Sequence, residues 1–126
     1  MRYELVAYED DMPNVYRRAR VMVSRAGAVT IAELCAVGVP AVLVPLPAAP
    51  GDHQTHNAQA LVHAGAAVLV PDAACDSARL AAELDALLAA PERLDAMHDA
   101  ARGLARLDAA SAIVAMVEAA AESGIA

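Results

Sequence analysis

The sequence predicts an α/β fold built on a parallel, doubly wound sheet. Three observations carry that prediction. Short apolar runs alternate with longer segments of helical character, which is the order of βαβ units. The run Pro40–Leu46 (PAVLVPL) is apolar without interruption, as strands covered on both faces are. Glycine or proline stands where one element gives way to the next, at Pro13, Gly38, Gly65 and Pro91.

Tyr3–Tyr8 (YELVAY) reads as a first strand, followed by the acidic turn Glu9-Asp10-Asp11. A helix over Met12–Arg20 follows, with Pro13 in its first turn and Asp10 or Asp11 as its cap. Val21–Ser24 is the second strand. Helical residues resume at Thr30 and run to about Val37, where Gly38 ends them. Pro40–Leu46 is the third strand, and the Pro/Gly-rich stretch Pro47–Gly51 is a loop. Asp52 can cap a helix over His53–His63 that Gly65 ends, and Ala66–Val70 is the fourth strand. Helices follow from Asp76 or Ser77 to Ala90, from Pro91 to Arg106, and from Asp108 to Ser123-Gly124. The expectation is about four parallel strands with helices on both faces and further helices at the C-terminal end. With no repeat and no long linker, residues 1–126 read as a single domain.

The composition, 59% hydrophobic and 20% charged, is that of a folded chain. Much of the apolar content is alanine. There is no Phe or Trp and there are only three Tyr, so the core has little bulk and modest stability is expected. A net charge of −7 without a Lys/Arg cluster argues against nucleic acid as a partner. No apolar run is long enough to span a membrane and no signal-peptide pattern is present, which points to the cytoplasm. Cys35 and Cys75 share no metal or redox spacing. Cys35 reads as a small buried hydrophobe, and no disulfide is expected in a reducing compartment.

In such sheets ligands bind at the carboxyl ends of the strands. That directs attention to Glu9–Pro13, Ser24–Thr30, Pro45–Gln54 and Pro71–Ser77. At Ser24–Thr30 (SRAGAVT) a strand turns into a helix through Gly27. The first amides of that helix form an anion site in one reading; in the other, Gly27 is only a tight turn. Thr30-Ile31-Ala32-Glu33 fits a capping box. Alternatively, the Glu33 carboxylate faces the crevice and accepts from two vicinal hydroxyls. Arg25 either faces a phosphate or pairs with a local carboxylate such as Asp52.

Asp52–Asn57 (DHQTHN) is the most polar stretch of the chain and stands where it can hydrogen-bond a sugar. The alternatives are a cap at Asp52 and a solvated face at Asn57. His53, His56 and His63 lack the Cys or carboxylate that would complete a familiar zinc pattern, and His98 is expected on the surface. No nucleophile elbow, P-loop or Cys/His pair is present, so no catalytic residue is assigned.

The segments SRAGAVTIAELCAVGVPAVLVPLP and DHQTHNAQALVHAGAAVLV resemble the C-terminal half of MurG-type glycosyltransferases, family 28 of the GT-B superfamily. The resemblance runs from about Val6, through DDMPNVYRRARVMVSRAGA, to PERLDAMHDAARGLARLDAA. Enzymes of that family transfer N-acetylglucosamine from UDP-GlcNAc to a lipid-linked muramyl-pentapeptide during peptidoglycan synthesis. The resemblance implies a partial Rossmann-like donor domain and inverting transfer without metal or cofactor. It assigns the ribose hydroxyls to Glu33 and the diphosphate and sugar to the turn Ala26, Gly27, Ala28, Val29 and Thr30. Arg25 belongs with that turn. Gln54 is matched to the GlcNAc hydroxyls, with Asp52 and Asn57 in the same motif. Thr55 stands where some members carry a second glutamine.

Family members also have an N-terminal domain that holds the acceptor site, the catalytic base and the membrane-facing patch. Their C-terminal domain opens with two further strands and a Gly/Ser-rich loop. In the strand order 3-2-1-4-5-6, this chain is expected to supply strands 3, 4, 5 and 6. It is therefore read as a truncated donor-binding part, completed by an N-terminal domain or a partner chain. The whole enzyme would work at the cytoplasmic face of the inner membrane. Alone, the chain is expected to bind UDP-GlcNAc weakly or not at all and not to catalyse transfer. The other readings are a separate donor-binding subunit, or a vestigial domain that forms a homo-oligomer through an exposed sheet edge.

Overall fold

The structure, a computed structural model, describes residues 11–47 and 52–105. Its elements are α1 (Met12–Arg18), β1 (Met22–Ser24), α2 (Ala28–Val37), β2 (Ala41–Leu43), α3 (His53–His63), β3 (Ala67–Leu69) and α4 (Ser77–Leu88). A 3-10 turn at Asp72–Ala74 precedes α4, and residues 91–105 continue as a further helix, α5. The three strands form one parallel sheet in the order β1-β2-β3. Met22, Ala41 and Ala67 lie in register at one end, and Ser24, Leu43 and Leu69 at the other. The strand expected at Tyr3–Tyr8 and the helix expected from Asp108 lie outside the described residues.

All three residues of the central strand β2 are buried, and their alternation divides the core in two. Ala41 and Leu43 face Leu34 and Cys35 of α2, Ala58 and Leu61 of α3, and Tyr16 of α1. Val42 and Val44 face the other way, toward Val70, Leu87 of α4, and Leu94 and Met97 of α5. The sheet thus has helices on both faces, as the uninterrupted apolar run predicts. Cys35 is buried and Cys75 partly exposed, both as thiols. Among the described residues, no helix is long and apolar enough to cross a membrane.

The element ends follow local chemistry. Of the two candidates for the α1 cap, Asp11 serves, its Oδ1 accepting from the Asn14 amide. Asp76 accepts from the Arg79 amide at 2.7 Å and caps α4. Gly38 closes α2 in the left-handed conformation, φ +84°, and its amide donates to Leu34 O at 2.8 Å. Gly65, φ +81°, follows the end of α3 in the same conformation.

The sequence places His98 on the surface. Its residue is exposed overall, yet its ring is engaged. Nδ1 lies 2.6 Å from Gly38 O, so that nitrogen carries the proton and donates. One turn further along α5, the Arg102 guanidinium donates to Ala36 O. Two cationic or polar side chains of α5 therefore satisfy carbonyls that α2 leaves unpaired at its C-terminal end, where the helix dipole favours them.

Candidate functional site

The carboxyl end of β1 leads through Arg25, Ala26 and Gly27 into α2. Gly27 is extended, φ −66° and ψ 152°, and its carbonyl accepts the first helical bond, from the Ile31 amide at 3.0 Å. The helix therefore begins at Ala28, two residues ahead of the expected start. This overturns the capping-box reading. Thr30 is already inside the helix, no side chain caps its start, and Glu33 is engaged elsewhere. The first amides of α2 precede any intrahelical bond and carry the positive end of the dipole.

Gly27 needs no glycine for its own conformation, because its φ is negative. Among the described residues it is not crowded, since an added Cβ would meet only Gln54 Nε2, at 4.0 Å. The missing side chain leaves the space in front of the α2 amides open to those residues. The tight-turn reading of Gly27 thus finds no support in its backbone.

Ala26, fully buried, is held from both sides by α3. Its amide donates to Gln54 Oε1 at 3.2 Å, and its carbonyl accepts from Asn57 Nδ2 at 3.0 Å. Gln54 Oε1 also accepts from the Leu46 amide at 2.9 Å. Two backbone N–H groups converging on one atom identify it as the carbonyl oxygen. The NH2 group of Gln54 is therefore the end that faces Gly27. Gln54 locks the β1–α2 loop to the β2–α3 loop, and toward anything bound above Gly27 it can only donate.

Glu33 is exposed on α2. Its Oε2 accepts from the Tyr16 hydroxyl at 2.6 Å. Tyr16 is 5% exposed. Burial, then the hydrogen bond to Glu33 and the charge of that carboxylate, push its pKa up to about 12. The unfolded chain would ionise near the ordinary value of 10.0. Between the two values the unfolded state loses a proton that the folded state keeps, so stability falls as pH rises. We expect urea unfolding to show full stability below about pH 10 and a loss between about pH 10 and 12 that Tyr16→Phe removes.

Among the described residues, Arg25 does not pair with Asp52. Its Nη1 meets Asp72 Oδ1 at 2.5 Å, on the turn beyond β3, and approaches Val44 O at 3.4 Å. Both side chains are about half exposed, 50% and 40%. Asp52 stands at the start of α3 with φ +55° and makes no side-chain bond to the helix amides. It accepts the Thr55 hydroxyl at 2.7 Å, which fixes both side chains beside each other.

Two clefts open at the carboxyl ends of the strands. One, about 460 Å³, lies between Pro45, Asp52, Thr55, Leu69 and Asp72. The other, about 360 Å³, lies between Ser24, Arg25, Val44, Asp72 and Cys75. Asp72 borders both, and Arg25 lines the second. A further cleft of about 470 Å³, at Gly65, Ala67, Arg93 and Met97, includes none of the loop residues described above. Among the described residues, no group of three or more His, Cys, Asp or Glu is placed to hold a metal ion. Tyr16 and Asp72 are the two site neighbours that sequence reasoning did not single out. Asp72 lies within a loop already marked by its position after a strand.

The chain matches the glycosyltransferase family 28 C-terminal domain over residues 1–113. It is 52% identical over 110 residues to the UDP-N-acetylglucosamine–N-acetylmuramyl-(pentapeptide) pyrophosphoryl-undecaprenol N-acetylglucosamine transferase of Alkalilimnicola ehrlichii, covering 87% of this chain and 31% of that protein. The Methylococcus capsulatus protein of the same name is 52% identical over 104 residues, covering 82% of this chain and 29% of the relative. This chain therefore spans about a third of the length of the curated relatives it matches. Among solved structures, Acinetobacter baumannii MurG superposes with a TM-score of 0.72 at 35% identity, over 79% of this chain and 28% of that one. The glycotransferase of kitacinnamycin superposes with a TM-score of 0.56 at 30% identity, over 80% of this chain and 26% of that one. With the open amides of α2 and the clasped loop at the carboxyl ends of its parallel sheet, and with the match over residues 1–113, the chain belongs to the glycosyltransferase family 28 C-terminal domain family.

Proposed function

We propose that the chain is the donor-binding part of an inverting glycosyltransferase that uses UDP-N-acetylglucosamine to make the lipid-linked peptidoglycan precursor. The observation that carries this reading is the Ala26–Gly27 loop, clasped by Gln54 and Asn57 so that the uncapped amides of α2 stand open beside an anchored Glu33. In this reading the amides of Ala28, Val29 and Thr30 face the diphosphate. Glu33 accepts from the ribose hydroxyls, and the NH2 of Gln54 donates to a sugar oxygen. Asn57 acts by holding Ala26, and Thr55 and Asp52 border the cleft at the sugar end. Arg25, half exposed beside Asp72, supplies a cation to the phosphates when the ion pair opens. The chemistry needs no metal or cofactor.

Relatives that carry the transferase name are about three times as long as the match, which supports completion by an acceptor-binding domain or partner chain. Catalysis and membrane contact, at the cytoplasmic face, would belong to that part, and the chain alone would not transfer sugar. We expect the isolated chain to bind UDP and UDP-GlcNAc with Kd near about 1 mM, equivalent to about −4 kcal/mol. Titration followed by 15N amide shifts at Gly27, Ala28, Val29 and Thr30 measures it. Micromolar affinity would contradict the weak binding expected of this part alone. Silence of those amides at about 10 mM ligand, where a 1 mM site is nearly full, would remove the donor reading.

A further inference from the structure

Tyr16 is the one buried aromatic side chain among the described residues, and it does not lie on any strand-end loop. Its hydroxyl nevertheless reaches across from α1 to Glu33 Oε2 on α2, at 2.6 Å. The two residues are 17 positions apart, and they belong to helices that pack against each other. A solvent-exposed glutamate has several rotatable bonds, and ordering it on a ligand carries an entropic penalty. A phenol fixed in the core and bonded to one carboxylate oxygen removes most of that freedom beforehand. The Tyr16 bond engages Oε2, and no hydrogen bond to Oε1 is present among the described residues, which leaves Oε1 to accept from a ligand.

We infer that Tyr16 is a positioning residue: its hydroxyl holds one oxygen of Glu33 so that the other is presented to a vicinal diol. This rests on the donor reading above, in which that diol is the ribose of the nucleotide. Tyr16 thereby sets preference for ribose over a sugar lacking those hydroxyls without touching the ligand. A purely structural tie between α1 and α2 would instead alter the affinity of both sugars alike, or of neither.

The test compares UDP with 2′,3′-dideoxy-UDP by amide-shift titration of the chain. The quantity read is the ratio of the two dissociation constants. In the unmodified chain the dideoxy ligand binds more weakly. Tyr16→Phe keeps the ring in the core and is expected to lower the ratio about 3–10-fold, the scale of one immobilised side chain. Glu33→Gln is expected to lower it at least as far, and Tyr16→Phe added to Glu33→Gln is expected to change nothing more. Tyr16→Leu also fills the apolar site and carries no hydroxyl. It should lower the ratio as Tyr16→Phe does, and it decides the matter should the phenylalanine variant not fold. An unchanged ratio in Tyr16→Phe, or an equal weakening of both ligands, overturns the inference while leaving Glu33 as a ribose contact. A ratio that Glu33→Gln leaves unchanged, or no binding of either nucleotide, overturns the donor reading and this inference together.

Discussion

Gly38→Ala is expected to destabilise the fold by about 3 kcal/mol. A left-handed backbone costs an L-residue about 1–2 kcal/mol, and Gly38 sits at φ +84°. The added Cβ would also stand 2.5 Å from His98 Nδ1 and 2.7 Å from Arg102 Cγ. Both side chains would have to withdraw, and with them the bonds to the carbonyls of Gly38 and Ala36. Each such bond contributes about 0.5–1.5 kcal/mol. Gly65 provides the comparison. Its φ is nearly the same, +81°, but no atom of the described residues lies within 4 Å of an added Cβ. Gly65→Ala should therefore lose only the backbone part, about 1 kcal/mol. Thermal unfolding should show a drop in Tm of about 10 °C for Gly38→Ala and about 4 °C for Gly65→Ala. Equal shifts would mean that α5 contributes nothing at the end of α2. In a His98→Ala background the Gly38→Ala penalty should shrink, because one obstruction and one lost bond are already gone. The grip matters for the site because α2 is held by α5 at one end and carries the open amides at the other.

The features legible in the sequence are those decided within a few residues. Gly38 and Gly65 mark helix ends because only glycine takes positive φ there without strain. Asp11 and Asp76 cap because their carboxylates reach an amide three residues on. The apolar run through Ala41–Leu43 announces a strand buried on both faces. The misreadings have the opposite character. Thr30-Ile31-Ala32-Glu33 is an adequate capping box by local rules. Yet Gly27 takes the cap once α3 fixes Ala26, 28 and 31 residues away from Gln54 and Asn57. Glu33 is drawn to Tyr16 at a separation of 17, and Arg25 to Asp72 at a separation of 47. The polar stretch Asp52–Asn57 stands out as a site element from composition alone. That two of its amides grip a backbone, with one NH2 left facing Gly27, depends on the packing of α3 against the β1–α2 loop.

Gln54 offers the sharpest separation between holding the loop and meeting a ligand. Gln54→Ala would leave the amides of Ala26 and Leu46 without their acceptor. The Leu46 bond is exposed, so water can replace it, whereas the Ala26 bond is partly buried. A buried donor left unpaired costs about 1–3 kcal/mol, and we expect a loss of about 2 kcal/mol in urea unfolding, with faster hydrogen exchange at Ala26. Gln54→Glu should behave otherwise. A carboxylate oxygen can accept both amides, so stability should stay within about 0.5 kcal/mol of the unmodified chain. The NH2 group, however, becomes a second anionic oxygen facing Gly27 and the α2 amides. A diphosphate brought into that space would meet like charge in place of a donor, and UDP affinity should fall about 10-fold or more. A Gln54→Glu chain that is stable and still binds both UDP and UDP-GlcNAc normally would make Gln54 a loop bracket with no part in donor binding. If Gln54→Ala proves as stable as the unmodified chain, the bracket itself is discarded, because neither backbone amide then depends on that oxygen.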